Sequence, residues 1–424
     1  MLDIKFIKEN QALVKDNIKK KFQNEKLPLV DKAVKDYDKW LKIKKEVEDL
    51  RHKRNIISEK INALQKSKRD ISKEIKEVKE IPENIKELEE KQSKINQEIK
   101  NSLLQIPNII HHSVPTGKDA SQNKVIKTGG KKNKFDFPVK NHVELVEKLG
   151  LADFESSAKV AGKGFYYLKK NLALLNQALI RFAIDFMRKK KYEYIETPLM
   201  LNEESIYASM DKKAIEESVY SIKGEDLNLI GTAEQSLLAM HSGDIIPETE
   251  LPKKYFSYSM CFRKEIGSHG INEKGLWRTH QFNKIEQFIF CKPEDSEKLY
   301  DELLKNSEEI IKELELPYRV IEMCSGDLAD WKYRSADIEV YRPTTSDYGE
   351  VMSLSNCTDY QARKLNIKCS DENGNKRILH TLNDTAMATS RMMVAILENN
   401  QQKDGSIKVP KVLQKYMGGV RTIK

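Results

Sequence analysis

The second half of the chain carries a closely spaced set of side chains suited to binding a phosphorylated aromatic ligand. Arg263 and Glu265 come first, and Arg278, Phe282 and Glu286 follow after a segment that contains three glycines. An arginine can hold a phosphate or a carboxylate through two parallel hydrogen bonds, an aromatic face can carry a purine ring, and a carboxylate can accept from an amine. The set therefore predicts an ATP site without a glycine-rich phosphate loop, and neither common glycine-rich fingerprint occurs in the chain.

Strands of a hairpin are the elements that would position these side chains. Tyr255–Glu265 and Gln281–Cys291 are rich in aromatic and alternating residues, which predicts paired strands. Side chains two apart in a strand share a face, so the two charged residues of the first strand point the same way, as do Phe282 and Glu286. The glycine-rich connection at 266–277 predicts a mobile binding loop.

The charge of the chain is unevenly placed. The 424 residues carry a net charge of +9, but residues 1–134 hold 33 Lys/Arg against 21 Asp/Glu, so the rest is slightly acidic. An excess at one end indicates a polyanionic partner or simply a solvated surface. The five cysteines show no paired spacing, which predicts neither a disulfide framework nor a zinc site. No signal peptide or apolar membrane span is apparent, so we expect a cytoplasmic protein and no membrane partner.

A long helical arm is predicted near the N-terminus. Apolar residues recur at spacings of three and four from Trp40 to Leu64 and again from Ile71 to Ile99, which is the seam of a coiled coil. The polar turn Gln65–Arg69 would join two antiparallel legs of about 40 Å each. Pro82 should kink the second leg or open it locally.

Basic residues cluster around the tip of this arm. From Arg51 to Lys73 there are eight Lys/Arg against two Asp/Glu. This favours nucleic acid as the partner, while a dimerising coiled coil and a merely soluble turn remain the alternatives. The residues of the tip that are predicted to bind nucleic acid are Arg51, Lys53, Arg54, Lys60, Lys66, Lys68, Arg69 and Lys73.

The segment around Arg263 and Phe282 resembles motif 2 of class II aminoacyl-tRNA synthetases, and more narrowly of seryl-tRNA synthetases. The resemblance implies that Arg263 contacts the α-phosphate and the carboxylate of serine, and that Phe282 stacks on adenine. It also implies that Glu265 lies near adenine, that Arg278 is the second ATP-binding arginine, and that Glu286 faces the amino acid. The alternative is an ordinary amphipathic hairpin with surface charges. That alternative would explain a single Arg-x-Glu, but it explains the full set of spaced residues less well.

Two further segments match the same family. Thr232 and Glu234 would share a face if extended, offering a hydroxyl and a carboxylate to one ammonium group, and they match the loop that holds the α-amino group of serine. Glu350 and Ser353 match the acid and serine that ligate Mg²⁺ on the ATP phosphates. Their spacing of three requires a bulge or turn to bring them together, and hard oxygen ligands suit Mg²⁺.

The last match is to motif 3. The residues from His380 form a predicted polar turn that leads into a helix beyond Arg391. By resemblance Arg391 grips the γ-phosphate and covers adenine, and Asn383 and Thr385 lie beside the bound serine. Asp384 replaces the glycine common in the family, which leaves the conformation of the turn open.

Upstream, a helix around residues 175–186 and a strand at Lys191–Pro198 resemble motif 1, which builds the homodimer interface of these enzymes. We expect an α+β chain with an N-terminal helical domain at 1–104, a linker at 105–134 and a catalytic domain at 135–424. The body should be a largely antiparallel sheet flanked by helices. His111 and His112 in the linker could suggest a metal site, but adjacent side chains point different ways on most backbones.

The resemblance implies a serine–tRNA ligase that activates serine with ATP and transfers it to the 3′ end of serine tRNA, and selenocysteine tRNA is a further candidate acceptor. Arg263, Arg391 and Mg²⁺ would supply catalysis by positioning and charge neutralisation, so no nucleophilic side chain is required. The alternatives are a ligase of the same fold that loads a carrier protein, a non-catalytic tRNA-binding paralogue, and a structural coiled-coil protein.

Overall fold

Two compact units make up the chain, Met1–Pro107 and Asn108–Lys424. The computed structural model describes residues 1–266 and 274–424. Residues 267–273, which form part of the predicted binding loop, lie outside the described residues. Within the described ranges, no helix combines the length and the apolar character needed to cross a membrane.

The N-terminal unit is helical, and its two long helices form the predicted arm. Its helices are α1 Ile4–Glu9, α2 Gln11–Lys20, α3 Leu27–Lys66 and α4 Ser72–Leu103. Val47 and Ile57 of α3 pack with Ile81 and Ile85 of α4 along a buried seam. The coiled-coil prediction is therefore confirmed, but the two helices have 40 and 32 residues, so they are longer than the predicted length of about 40 Å.

Pro82 lies inside α4, and the helix continues through it without a break. Proline has no N–H to donate within the helix, so one hydrogen bond of the ladder is missing there. Ile81 and Ile85 on either side are buried in the seam, and this packing offsets the loss. The helix is therefore not broken at Pro82, and the predicted kink or local opening stays a prediction.

The C-terminal unit contains the helices and strands of the body. Its helices are α5 His142–Lys148, α6 Phe154–Ala161, α7 Lys170–Lys189, α8 Glu203–Ser209, α9 Lys212–Ser218, α10 Ala233–Ala239, α11 Ser296–Glu313, α12 Tyr360–Lys364, α13 Thr389–Asn399 and α14 Lys411–Gln414. The strands of its main sheet are β1 Lys124–Gly129, β2 Glu193–Tyr194, β3 Lys253–Phe262, β4 Gln281–Cys291, β5 Tyr318–Glu322, β6 Arg334–Arg342, β7 Asp347–Thr358 and β8 His380–Ala388. Short strand pairs and one three-stranded ribbon lie outside this sheet, at Ala152–Asp153, Tyr167–Leu168, Met200–Leu201, Asn228–Leu229, Ile245–Pro247, Lys368–Ser370, Lys376–Ile378, Ile407–Lys408 and Thr422–Ile423.

The main sheet is antiparallel except at one edge. Its strand order is β1-β5-β6-β7-β8-β4-β3-β2, and only β2 runs parallel to its neighbour β3. Helices α7, α11 and α13 contribute apolar faces to the core that covers the sheet. The predicted α+β fold with a largely antiparallel sheet is confirmed, and the predicted hairpin is the β3–β4 pair.

Two predicted segments differ from the structure in extent. Of the predicted strand Lys191–Pro198, only Glu193–Tyr194 pairs with the sheet. These two residues run parallel to two residues of β3 at the sheet edge. Within the predicted linker, Lys124–Gly129 is the edge strand β1 and pairs with β5. The chain therefore joins the body before residue 135, while the domain limits themselves stay a prediction.

Candidate active site

One pocket of about 410 Å³ gathers nearly all of the predicted site residues. Strands β4, β7 and β8 form its floor, and α10, α13 and the chain after β3 form its walls. The predicted residues that line it are Thr232, Glu234, Arg263, Glu265, Arg278, Phe282, Glu350, Ser353, Asn383, Thr385 and Arg391. Glu286 is only 1% exposed and lies beneath this surface, in contact with two residues that line it.

A compact polar cluster surrounds the Glu286 carboxylate. Lys284 Nζ lies 2.5 Å from Glu286 Oε2, and Thr232 Oγ1 donates to the same oxygen at 3.1 Å. Lys284 Nζ also donates to Thr232 Oγ1 at 3.1 Å. All three side chains are buried, so their mutual hydrogen bonds stabilise polar groups that burial would otherwise penalise.

Thr232 and Glu234 reach the pocket from a helix start, not from an extended segment. Thr232 is the N-cap of α10, and its Oγ1 accepts from the Glu234 N–H. The prediction of an extended pair is wrong because threonine two residues before glutamate also suits a helix cap, and here the cap forms.

The Glu234 carboxylate is held by two amides. Its Oε1 accepts from Gln361 Nε2 at 2.8 Å and from Asn383 Nδ2 at 3.1 Å. Burial, followed by the nearby Glu286 carboxylate, raises the pKa of Glu234. A carboxylate in this environment gains from the arrival of a cationic group.

The predicted ATP-binding residues of the hairpin lie at its open end. Arg263 Nε donates to the Gly231 carbonyl at 3.2 Å, and its guanidinium carbon lies 5.4 Å from the centre of the Phe282 ring. Glu265 and Arg278 form an ion pair at 2.9 Å. Because β3 ends at Phe262 and Glu265 has a φ of 52°, strand alternation does not set its direction as predicted.

The bulge predicted between Glu350 and Ser353 is present in β7. The pairing of β6 with β7 shifts register so that Val351 has no partner, and both predicted ligands line the pocket. Arg391 Nη1 lies 3.2 Å from Glu350 Oε2 and donates to the Glu350 carbonyl at 3.0 Å. Burial alone would raise the pKa of Glu350, but the Arg391 guanidinium and other nearby cations lower it.

The residues before Arg391 form a strand, so the predicted polar turn is wrong. His380–Ala388 is strand β8, and it pairs with both β7 and β4. Asn383 and Thr385 line the pocket, whereas Asp384 accepts from Ser307 Oγ at 2.6 Å and Gln287 Nε2 at 3.0 Å. Burial raises the pKa of Asp384 well above its usual range. A strand buried on both sides can resemble a polar turn in sequence when it carries Thr, Asn and Asp along its length.

Comparison with known proteins fits this geometry. A family model described as the seryl-tRNA synthetase N-terminal domain matches residues 1–110, and one described as the tRNA synthetase class II core domain (G, H, P, S and T) matches residues 218–400. A serine–tRNA ligase from Methanocella arvoryzae is 45% identical over 99% of each chain. The chain belongs to the seryl-tRNA synthetase family.

Solved structures of the family superpose on the whole chain. The crystal structure of seryl-tRNA synthetase from Pyrococcus horikoshii complexed with ATP has a TM-score of 0.95 and 40% identity, covering 100% of this chain and 99% of the other. Cytoplasmic serine–tRNA ligase from Naegleria fowleri in complex with AMP has a TM-score of 0.90 and 32% identity at the same coverage. The family predicted from the motifs is thus confirmed, and the predicted ATP-dependent ligase class agrees with it.

Sequence reasoning missed several residues that complete the pocket. Trp277, Trp331 and Lys332 line it, and Gln361 orients Glu234 from behind. Lys284, which lies in the buried cluster, also had no predicted role. Its position two residues from both Phe282 and Glu286 was the available signal, whereas the others come together only through the tertiary fold.

The arm residues are exposed, but they fall into two groups. The paired set, Arg51, Lys53 and Lys60, forms ion pairs across the arm with Glu89, Glu77 and Glu74 at 2.6, 2.7 and 2.8 Å. Among the described residues no ion pair is found for the free set, Arg54, Lys66, Lys68, Arg69 and Lys73. Four residues of the free set lie in or beside the turn at Ser67–Ile71, whereas Arg54 lies earlier in α3. The charge of the free set is available to a partner.

Proposed function

We propose that this chain is a serine–tRNA ligase, which activates serine with ATP and transfers the seryl group to the 3′ end of serine tRNA. One observation carries the proposal. The phosphate-binding arginines predicted from the family and the buried Thr232–Lys284–Glu286 cluster meet in a single pocket. The pocket thus combines groups for a nucleotide with groups for a small polar amino acid.

The charges of the pocket suit the ammonium group of serine. Glu286 brings a buried carboxylate and Glu234 a half-buried one, and Lys284 supplies a positive charge beside Glu286. An arriving ammonium would neutralise the remaining charge, so Thr232 and Glu234 are the groups that we assign to it. Glu286 would then accept from the serine hydroxyl.

Asn383, Thr385 and Arg263 complete the proposed serine site. Asn383 already donates to Glu234, and Thr385 lines the pocket on the same strand. Arg263 would hold the serine carboxylate close to the α-phosphate, because a guanidinium can bridge two oxygen anions. This places the two reacting groups side by side.

The ATP groups are assigned to the opposite end of the pocket. Phe282 would carry adenine, Arg278 and Glu265 would bind near it, and Arg391 would hold the γ-phosphate. In the first step a serine carboxylate oxygen forms a bond to the α-phosphorus while the bond to pyrophosphate breaks. In the second step the terminal ribose of tRNA takes the seryl group and AMP leaves. The arginines act by positioning and by neutralising the charge that develops.

Glu350 and Ser353 are the residues that we assign to Mg²⁺. A carboxylate and a hydroxyl on one face of bulged β7 provide the hard oxygen donors that this ion prefers. Asp337 lies on the neighbouring strand opposite Ser353, and its buried Oδ1 has no hydrogen-bond partner among the residues that the structure describes. In the described part of the chain, no group of three or more His, Cys, Asp or Glu could hold a metal by itself. Bound Mg²⁺ would neutralise phosphate charge.

We further propose that serine tRNA binds the arm and that two copies associate through the motif 1 region. The edge strand β2 and helix α7 belong to this region. Leu174 is a large apolar side chain, 50% exposed, on the solvent-facing side of α7, which otherwise carries Gln177 and Arg181. Light scattering of the purified chain tests the association, which a Leu174→Glu substitution should weaken. Cytoplasmic localisation and charging of selenocysteine tRNA stay predictions.

Amino-acid-dependent ATP–pyrophosphate exchange tests the proposed function. A site built to bond a hydroxyl rejects an analogue without it by about 10⁴ or more, whereas one added methyl group costs only about 1–3 kcal/mol. Exchange should be fastest with serine, measurable with threonine and lowest for alanine among the three. Faster exchange with any other amino acid would contradict the assignment, and a ligase for a carrier protein would show exchange but no charging of tRNA.

A further inference from the structure

Trp277 lies beside two arginines of the body. The guanidinium carbon of Arg342 is 4.5 Å from the centre of its indole ring, and that of Arg391 is 5.6 Å away. Arg391 Nε also donates to the Trp277 carbonyl at 3.4 Å. The two distances from guanidinium carbon to ring centre are within the range in which an arginine is attracted to an aromatic ring. The indole is therefore shared between two cations.

Each of these arginines is also fixed by a carboxylate. Arg391 contacts Glu350 at 3.2 Å. Arg342 donates twice to Glu398, at 2.8 and 3.2 Å, and Glu398 is fully buried. Each arginine thus has its own carboxylate partner, and the Trp277 ring contacts both arginines in addition to these ion pairs.

The sheet leaves room for the indole at one glycine. A Cβ atom added to Gly349 would lie 2.4 Å from Cζ2 of Trp277 and 3.3 Å from Cδ of Arg342. Contacts this short are not tolerated, so any side chain at 349 would push the indole away. Gly349 directly precedes Glu350, so the same short segment of β7 contacts both Trp277 and Arg391.

The backbone before Trp277 is fixed as well. The N–H of Leu276 donates to His142 Nε2 at 3.2 Å, and His142 Nδ1 lies 3.2 Å from Glu398 Oε1. The carboxylate that holds Arg342 therefore also orients the imidazole that holds Leu276. Glu398 therefore supports the indole in two ways, through its side-chain neighbour Arg342 and through the backbone before it, and both place the indole beside Arg391.

We propose that Trp277 is a positioning residue for Arg391, which orients the guanidinium toward the triphosphate of ATP. An arginine side chain has several rotatable bonds, and stacking on an aromatic ring restricts them before the ligand arrives. The inference rests on the proposed function, because it takes Arg391 to be the group that holds the γ-phosphate. It predicts that Trp277 affects binding of the triphosphate more than binding of the base and ribose.

Binding of ATP and AMP to the full-length chain, measured by calorimetry, tests this assignment. Trp277→Leu should raise the Kd for ATP by about tenfold. A misaligned charge-assisted hydrogen bond between Arg391 and the γ-phosphate would lose part of its binding free energy, and this loss corresponds to about that factor. The Kd for AMP should rise less, by under about threefold, because AMP keeps only the contact of Arg391 with adenine and lacks the γ-phosphate that the charge of Arg391 would bind. Trp277→Phe keeps an aromatic face and should stay within about threefold of the wild type for both ligands. Trp40→Phe, in the arm helix α3, is the matched control and should change neither value.

Gly349→Ala provides a second, independent route to the same displacement. It leaves Trp277 in the chain but should move the indole, so it should reproduce the selective loss of ATP affinity. Equal losses for ATP and AMP in both variants would overturn the inference, since they would indicate general damage or direct contact with the base. Unchanged affinities would overturn it as well. Absence of ATP binding by the wild type would instead contradict the proposed function.

Discussion

The free and paired basic residues of the arm give a direct test of tRNA binding. A triple substitution of Lys66, Lys68 and Arg69 to glutamine removes three charges from the free set. A triple substitution of the paired set to glutamine removes the same number of charges, but from side chains already bound to Glu89, Glu77 and Glu74. The two variants are therefore matched in charge and differ in how available that charge is.

The magnitude follows from counterion release. Each phosphate contact contributes about 0.7 to 0.9 to the slope of log binding constant against log salt concentration. Loss of three contacts should flatten the slope by about two to three units for the free-set variant. The paired-set variant should change the slope by less than about one unit. Because both sets lie in the helical arm, serine activation should be unaffected in each.

Filter binding of serine tRNA measures both slopes. The salt concentration is varied from about 50 to about 200 mM, a range over which the loss of phosphate contacts changes affinity strongly. Pyrophosphate exchange on the same preparations is the control for an intact active site. Equal slopes for the two triple variants, or no change in either, would refute the assignment of the arm tip to tRNA.

Three further outcomes are expected. Arg263→Ala and Arg391→Ala should each lower the rate of serine-dependent exchange by about 10² to 10³, with unchanged circular dichroism, because each removes a preorganised phosphate partner. Burial raises the pKa of Asp384, so ionisation of the folded state costs stability above the unfolded pKa of about 4. The melting temperature of Asp384→Asn should therefore rise relative to that of the wild type as the pH increases from about 5 to about 8, the range in which most proteins are stable. Hydrogen bonds from His142 and then Arg342 outweigh burial and lower the pKa of Glu398 to about 2. Glu398→Gln should thus lose stability at neutral pH in chemical denaturation, by about 2 kcal/mol, and the difference should shrink below about pH 4.5.

The elements that sequence predicted well are those with local patterns. The arm seam repeats every three or four residues, and the β3–β4 hairpin alternates along its length, so burial of one face fixes each structure. The bulge in β7 was also predictable, because a glutamate and a serine three residues apart cannot share a face without one.

The elements that sequence did not predict depend on contacts between distant segments. Thr232 could be read either as part of a strand or as a helix cap, and only its place beside α10 decides between them. Asp384 looked like part of a turn because nothing local shows that Gln287 and Ser307 lie beside it. The approach of Trp277 to Gly349 joins residues 72 positions apart, and no periodic pattern reports such a contact.

Charging of tRNA with serine tests the central claim most directly. The purified chain is incubated with ATP, Mg²⁺, labelled serine and serine tRNA, and the acylated 3′ end is quantified. A tRNA for a different amino acid and the Arg391→Ala variant are the controls. The account predicts stoichiometric seryl-tRNA on the first tRNA, little on the second and almost none with the variant. Serine activation without any transfer to tRNA, or charging with a different amino acid, would contradict it.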